Sequence, residues 1–167
     1  MSRTLSTSSA SCSQACCSLP DGSESMPRLF ALDQNYPEPI AEDWQVLQAL
    51  HLHGRDWDGL ITSDKNMLGL PKELAVLCQT KLTLVVAVAA GHDPIKATGL
   101  LLTHLGSICE QTSADSAQVW TLRTARKAPE DPWIHMTQAA ARQDISADTL
   151  YRRERLTGDD LAADPLG

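Results

Sequence analysis

The sequence predicts an α/β fold, a mostly parallel sheet with helices packed on both of its faces. Three observations predict it. Short apolar runs rich in β-branched residues alternate with segments of helical periodicity, which is the order that βαβ units produce. The run "KLTLVVAVAA" (81–90) is apolar on both faces, as a central parallel strand is. The intervening segments carry helix-start residues, as in "DPIK" and "PKEL".

The elements follow in order. "RLFALD" (28–33) reads as the first strand. After a Pro-rich turn, "AEDWQVLQALHLHG" (41–54) places Trp44, Leu47 and Leu50 on one helical face and stops at Gly54. "GLITS" (59–63) is the second strand, and "PKELAVLCQT" (71–80) a helix with Pro71 in its first turn. The strand 81–90 comes next. "DPIKATGLLLTHL" (93–105) is a helix with Asp93 as N-cap and Pro94 at the first helical position. "AQVWTLR" (117–123) is the fourth strand, and "EDPWIHMTQAAARQ" (130–143) and "SADTLYRRERL" (146–156) are helices, the latter capped by Ser146. The domain is expected to span 27–156, between a Ser-rich disordered extension over 1–26 and a flexible acidic tail over 157–167.

The 167 residues suit one domain. No apolar run reaches the length of a membrane span, and the N-terminus lacks the apolar core of a signal peptide, so the chain is expected to be cytoplasmic. Met26 offers a second start just ahead of the first strand. Cys12, Cys16 and Cys17 have no histidine or second cysteine pair nearby to complete a zinc set and read as incidental thiols. Cys78 and Cys109 fall in apolar helical patterns, as small buried residues do. A net charge of −7 argues against broad non-specific binding to nucleic acid. The positive charge is nonetheless bunched, at Lys65, Lys72, Lys81 and Lys96, then in "RTARK" (123–127) and "RRER" (152–155). A solvated face is the ordinary explanation of such runs.

The acids carry more. Ligands in open α/β sheets sit outside the carboxyl ends of the strands. Asp33 ends the first strand and Asp64 follows the second, so adjacent parallel strands would bring both carboxylates to one edge. Glu42 and Asp43 open the helix between them. Converging carboxylates repel unless a cation sits among them, and Mg²⁺ or Mn²⁺ suits such oxygens. Ser63 or Asn66 would add a ligand or place a water, and Lys65 would hold a substrate phosphate. Each residue also has a plainer role. Asp43 and Glu42 complement a helix start, and Asp64 and Asn66 are good turn residues. His51 and His53 suit a helix C-terminus, and no Gly-rich phosphate loop or serine-nucleophile motif is present.

The stretches "FALDQNYPEPI", "EDWQVLQALHLHGRDWDGLITSDKNMLGLPKELAVLCQTKLTLVVAVAAGHDPIKATGLLLTHL" and "EDPW" resemble a bacterial group of PIN-like domain proteins, from about Met26 to Leu156. The resemblance implies a three-layer α/β/α fold and a metal-dependent ribonuclease of single-stranded RNA, often the toxin of a toxin–antitoxin pair, with RNA and an antitoxin as partners. It implies Asp33, Asp43 and Asp64 as catalytic ligands of Mg²⁺ or Mn²⁺, with Glu42 and Ser63 beside them; Lys65 and Asn66, read from the residues alone, are expected on the substrate. Two departures stand out. Nine residues separate Asp33 from Asp43, too few for the helix–strand unit the family has there, since a crossover needs about 10–12 residues. The edge that the lost strand covered is then expected to be exposed, and a homodimer would cover it. A fourth acid is also missing: beyond Asp64 stand Lys65, Asn66 and Met67, which implies weaker metal binding. The competing expectation is a catalytically impaired remnant that serves as a protein-interaction scaffold. A phosphorylated receiver-like module fits less well, for no adjacent pair of acids follows the first strand and no lysine ends the last.

Overall fold

The computed structural model describes the backbone of residues 14–17 and 28–32, and backbone and side chains of 42–52, 57–91, 93–125 and 128–165. Its strands are β1 (Gln14–Cys17), β2 (Arg28–Leu32), β3 (Gly59–Thr62), β4 (Thr83–Val86) and β5 (Gln118–Thr121). Its helices are α1 (Asp43–Leu52), α2 (Pro71–Gln79), α3 (Pro94–Gln111), α4 (Pro132–Ala141), α5 (Ala147–Glu154) and α6 (Gly158–Ala162), with a 3-10 turn at Lys65–Leu68. The fold is α/β, as the alternation predicts.

β3, β4 and β5 form an all-parallel core, with Leu60 beside Leu84 and Val119, and Ile61 beside Val85 and Trp120. β2 extends it in parallel, Leu32 beside Ile61, and β1 closes that side antiparallel to β2. The strands stand in chain order, β1 to β5. Side chains alternate across such a sheet, and the core divides accordingly. Leu60, Leu84, Val86 and Val119 meet Val46, Leu47 and Leu50 of α1 and Val76 and Leu77 of α2. Ile61, Val85, Trp120 and Leu122 point the other way, to Ile108 of α3. A third cluster joins Leu74 and Ala75 of α2 to Met136, Ala139 and Ala140 of α4 and Leu150 of α5. Helices therefore cover both faces. The steps β3 to β4 and β4 to β5 advance the same way across the sheet, yet α2 and α3 lie on opposite faces. Their crossovers have opposite hands, so one of them goes against the strong right-handed preference.

Several expectations are corrected. The fold has β1 inside the segment 1–26, which reads as disordered in sequence, and β1 pairs with the edge of β2 that was expected to stand open. Pairing is the cheapest answer to a row of unsatisfied N–H and C=O groups. The strand expected over 81–90 ends at Val86, and a turn follows in which Gly91 adopts a left-handed φ of 62°. α3 runs on to Gln111. The acidic segment expected to be a flexible tail forms α6, where the Thr157 hydroxyl accepts from the Asp160 N–H. The buried Gln48 amide fastens it to α1, donating to the carbonyls of Asp160 at 2.5 Å and Ala163 at 2.7 Å. Both amide protons of this buried side chain are thereby satisfied. Cys109 is buried, as its apolar helical pattern predicts, and is disulfide-bonded. No described helix is long and apolar enough to cross a membrane.

Candidate functional site

β3 leaves the sheet at Thr62, and the chain turns at once. The Asp64 N–H donates to the Thr62 hydroxyl at 3.0 Å, and Asp64 Oδ1 accepts from the Asn66 N–H at 2.8 Å. Asp64 is thus the N-cap of the turn Lys65–Leu68. Met67, 1% exposed, pins that turn into the core, while Ser63, Lys65 and Asn66 face solvent. The capping bond uses one carboxylate oxygen, so the structural role of Asp64 and a chemical one are compatible.

Beside the turn, at the carboxyl edge of β4 and β5, lies an open cleft of about 860 Å³. Asp64, Lys65 and Asn66 form one wall. Thr121 and Arg123, where β5 ends, form its floor, and His135 and Gln138 of α4 with Arg142, the C-cap of that helix, form the opposite wall. The spacing of 3 and 4 residues puts those three on one face of α4. The Arg142 guanidinium donates to the Gly69 carbonyl at 3.2 Å and so ties α4 to the turn. His135 Nε2 stands 3.0 Å from Glu130 Oε2, a contact at ion-pair distance without the alignment of a hydrogen bond. Three permanent cations, Lys65, Arg123 and Arg142, therefore line the cleft against two carboxylates, Asp64 and Glu130.

The other expected acids lie elsewhere or outside view. Asp33 is outside the described residues. The register sets Leu32 beside Ile61, so β2 and β3 leave the sheet at the same edge. Glu42 is exposed and Asp43 half-buried at the start of α1. The Trp44 indole N–H donates to the Glu42 carboxylate, and Lys72 Nζ lies 5.1 Å from the centre of the Trp44 ring. Both acids act on Glu73, which is buried in the first turn of α2. Burial is the main force raising its carboxyl above the ordinary range, with Asp43, Glu42 and Glu154 adding to it and its own backbone N–H opposing it. Among the described residues no three His, Cys, Asp or Glu stand where one metal ion could be held.

Glu73 yields a prediction of its own. A carboxyl raised in the folded state binds its proton more tightly there than in the unfolded chain. Its contribution favours folding below its ordinary pKa of 4.5 and is lost as pH rises through the folded value. Glu73→Gln is expected to raise the thermal midpoint at neutral pH and to change it little at about pH 4, where the wild-type carboxyl is largely protonated. Melting curves at both pH values check this; a lower midpoint at neutral pH refutes it.

A second cavity, about 660 Å³, opens at the amino edge of the sheet between Cys78, Gln118, Asp131, Trp133 and Tyr151. Trp133 and Tyr151 meet there edge to face at 5.5 Å. Burial, with the Asp131 charge second, pushes the Cys78 thiol up to about 11, which makes it a poor nucleophile at neutral pH.

Sequence reading singles out Asp64, Lys65 and Asn66, which line this cleft, and does not join Arg123, Arg142, Glu130 and His135 to them. Their signal was weak. Arg123 stands in a run that reads as a solvated face, and the α4 trio shows its common face only through the 3–4 spacing. No family model, no curated protein and no solved structure matches the chain.

Proposed function

We propose that the protein is a metal-dependent ribonuclease of the PIN-like kind, which takes single-stranded RNA into the cleft beside Asp64. One observation carries the reading. β2 and β3 are parallel neighbours that leave the sheet at one edge, ahead of Asp33 and Asp64, and that edge adjoins a cleft lined by three cations. A strand of RNA carries one charge per phosphate, and cations spaced along a groove track such a backbone. Lys65 and Arg123 neutralise phosphates, and Asn66, exposed at the start of the turn, positions the strand. Arg142 adds charge while holding the cleft wall.

The described acids do not by themselves complete a metal site. The proposed ligand set is Asp33 with Asp64, carboxylate oxygens that suit Mg²⁺ or Mn²⁺; Glu42 and Asp43 form no three-acid group with Asp64 and are left out of it. Such an ion polarises a phosphodiester and lowers the pKa of bound water. An antitoxin-type protein that restrains the nuclease is part of the proposal. The test is cleavage of single-stranded RNA that depends on metal and is lost in Asp64→Asn.

A second reading is a catalytically impaired PIN-like remnant acting as a protein-interaction scaffold. It draws on the commitment of Asp64 Oδ1 to the Asn66 N–H and on the shortened link between β2 and β3. Folded protein without cleavage in any metal favours it.

A further inference from the structure

Among the described residues, nothing packs on one face of α3. Ile95 is 83% exposed and Leu102 66%, high values for large apolar side chains. Gly99 and Gly106 lie between and beyond them, and a Cβ added at either would meet no atom within 4 Å. Positions 95, 99, 102 and 106 recur at the spacing of one helical face. The two glycines let another helix approach the backbone closely along that stripe.

The stripe is also close to symmetric. Gly99 and Gly106 flank the point between Leu102 and Thr103, and Lys96 and Glu110 flank Thr103 itself. Lys96 and Glu110 are exposed and are the Lys, Arg, Asp or Glu residues of this helix. Two copies of α3 laid antiparallel across that centre put Gly99 against the partner subunit's Gly106. They also put Lys96 against the partner subunit's Glu110, and the contact repeats by symmetry. A parallel pair would instead oppose like charges at each end. We propose that this face of α3 docks on α3 of a second copy of the chain, antiparallel about a two-fold axis near Leu102 and Thr103.

This differs from pairing through an open sheet edge, for β1 covers the free side of β2. It is independent of the nuclease reading. The 18 residues of α3 make a rod about 27 Å long. A helix pair of that length falls short of the roughly 800 Å² per partner of a standard interface, so the dimer is expected to be reversible and to form as concentration rises.

Sedimentation velocity of the full chain over a rising concentration series tests it. The wild type is expected to pass from monomer to dimer. Leu102→Lys weakens that association tenfold or more, and so does Glu110→Lys, which sets lysine against lysine. The double exchange Lys96→Glu/Glu110→Lys restores it, because the opposed charges pair again. All three sites are exposed, and circular dichroism checks that each variant is folded; Ile95→Lys replaces Leu102→Lys should the latter not be. A wild type that stays monomeric at every concentration overturns the proposal and leaves the face to a different protein. A dimer indifferent to these substitutions, or one that the charge exchange fails to restore, overturns it equally.

Discussion

Gly59→Ala is expected to destabilise the fold by about 3 kcal/mol or more, the upper end of what overpacking a core costs. Gly59 opens β3, with Phe30 of β2 on one side and Thr83 of β4 on the other. A Cβ there would fall 1.9 Å from the Thr83 carbonyl oxygen and 2.8 Å from its carbon. These are backbone atoms of a strand that is itself 0% exposed at Thr83 and held by the Thr83 N–H to the Asp58 carbonyl at 2.8 Å. Neither side can give way cheaply. Alanine would otherwise gain about 0.5–1 kcal/mol over glycine inside a strand, so the clash decides the sign. Denaturant unfolding of the two proteins measures it. A loss under about 1 kcal/mol would show that β3 and β4 pack less closely than described.

Lys65→Ala combined with Arg123→Ala is expected to weaken binding of single-stranded RNA about tenfold or more, measured in EDTA so that binding is read without cleavage. Each phosphate contact on a single strand contributes about 0.7 to the log–log slope of affinity against salt, so losing two flattens it by about 1.4. The slope is the sharper readout, since a general loss of folded protein would lower apparent affinity and leave the slope alone. Arg142 is kept because its guanidinium also holds the Gly69 carbonyl. An unchanged affinity and slope would place the RNA path elsewhere.

Much of the fold is legible in sequence, because local signals and tertiary packing agree. Asp93 caps α3, its carboxylate accepting from the N–H groups of Ile95 and Lys96. Pro71, Pro94 and Ser146 stand at helix starts, as their chemistry dictates. The parallel pairing of β2 with β3 follows from one intervening helix. What the sequence does not reveal depends on contacts distant along the chain. β1 has four residues and gains its pairing from β2, and α6 has five and is fastened by Gln48, 112 residues away from Asp160. The face that α3 takes, opposite to α2, leaves no periodic trace that differs from the alternative. Within the site, Asp64 and its turn are readable because they are contiguous. Arg123, Arg142 and the pair of Glu130 with His135 become a site only when α4 folds back alongside α2.

Cleavage of labelled single-stranded RNA by the purified chain, in Mn²⁺ and in EDTA, beside Asp64→Asn and Asp33→Asn, tests the central claim most directly. Asparagine at 64 keeps a side-chain oxygen for the Asn66 N–H and so retains the cap while losing the charge. The account predicts cleavage in Mn²⁺, none in EDTA, and a loss of about 100-fold or more in either variant, the scale on which one group that stabilises developing charge acts. Folded wild-type protein that leaves the RNA intact in every metal, or cleavage indifferent to both substitutions, contradicts it.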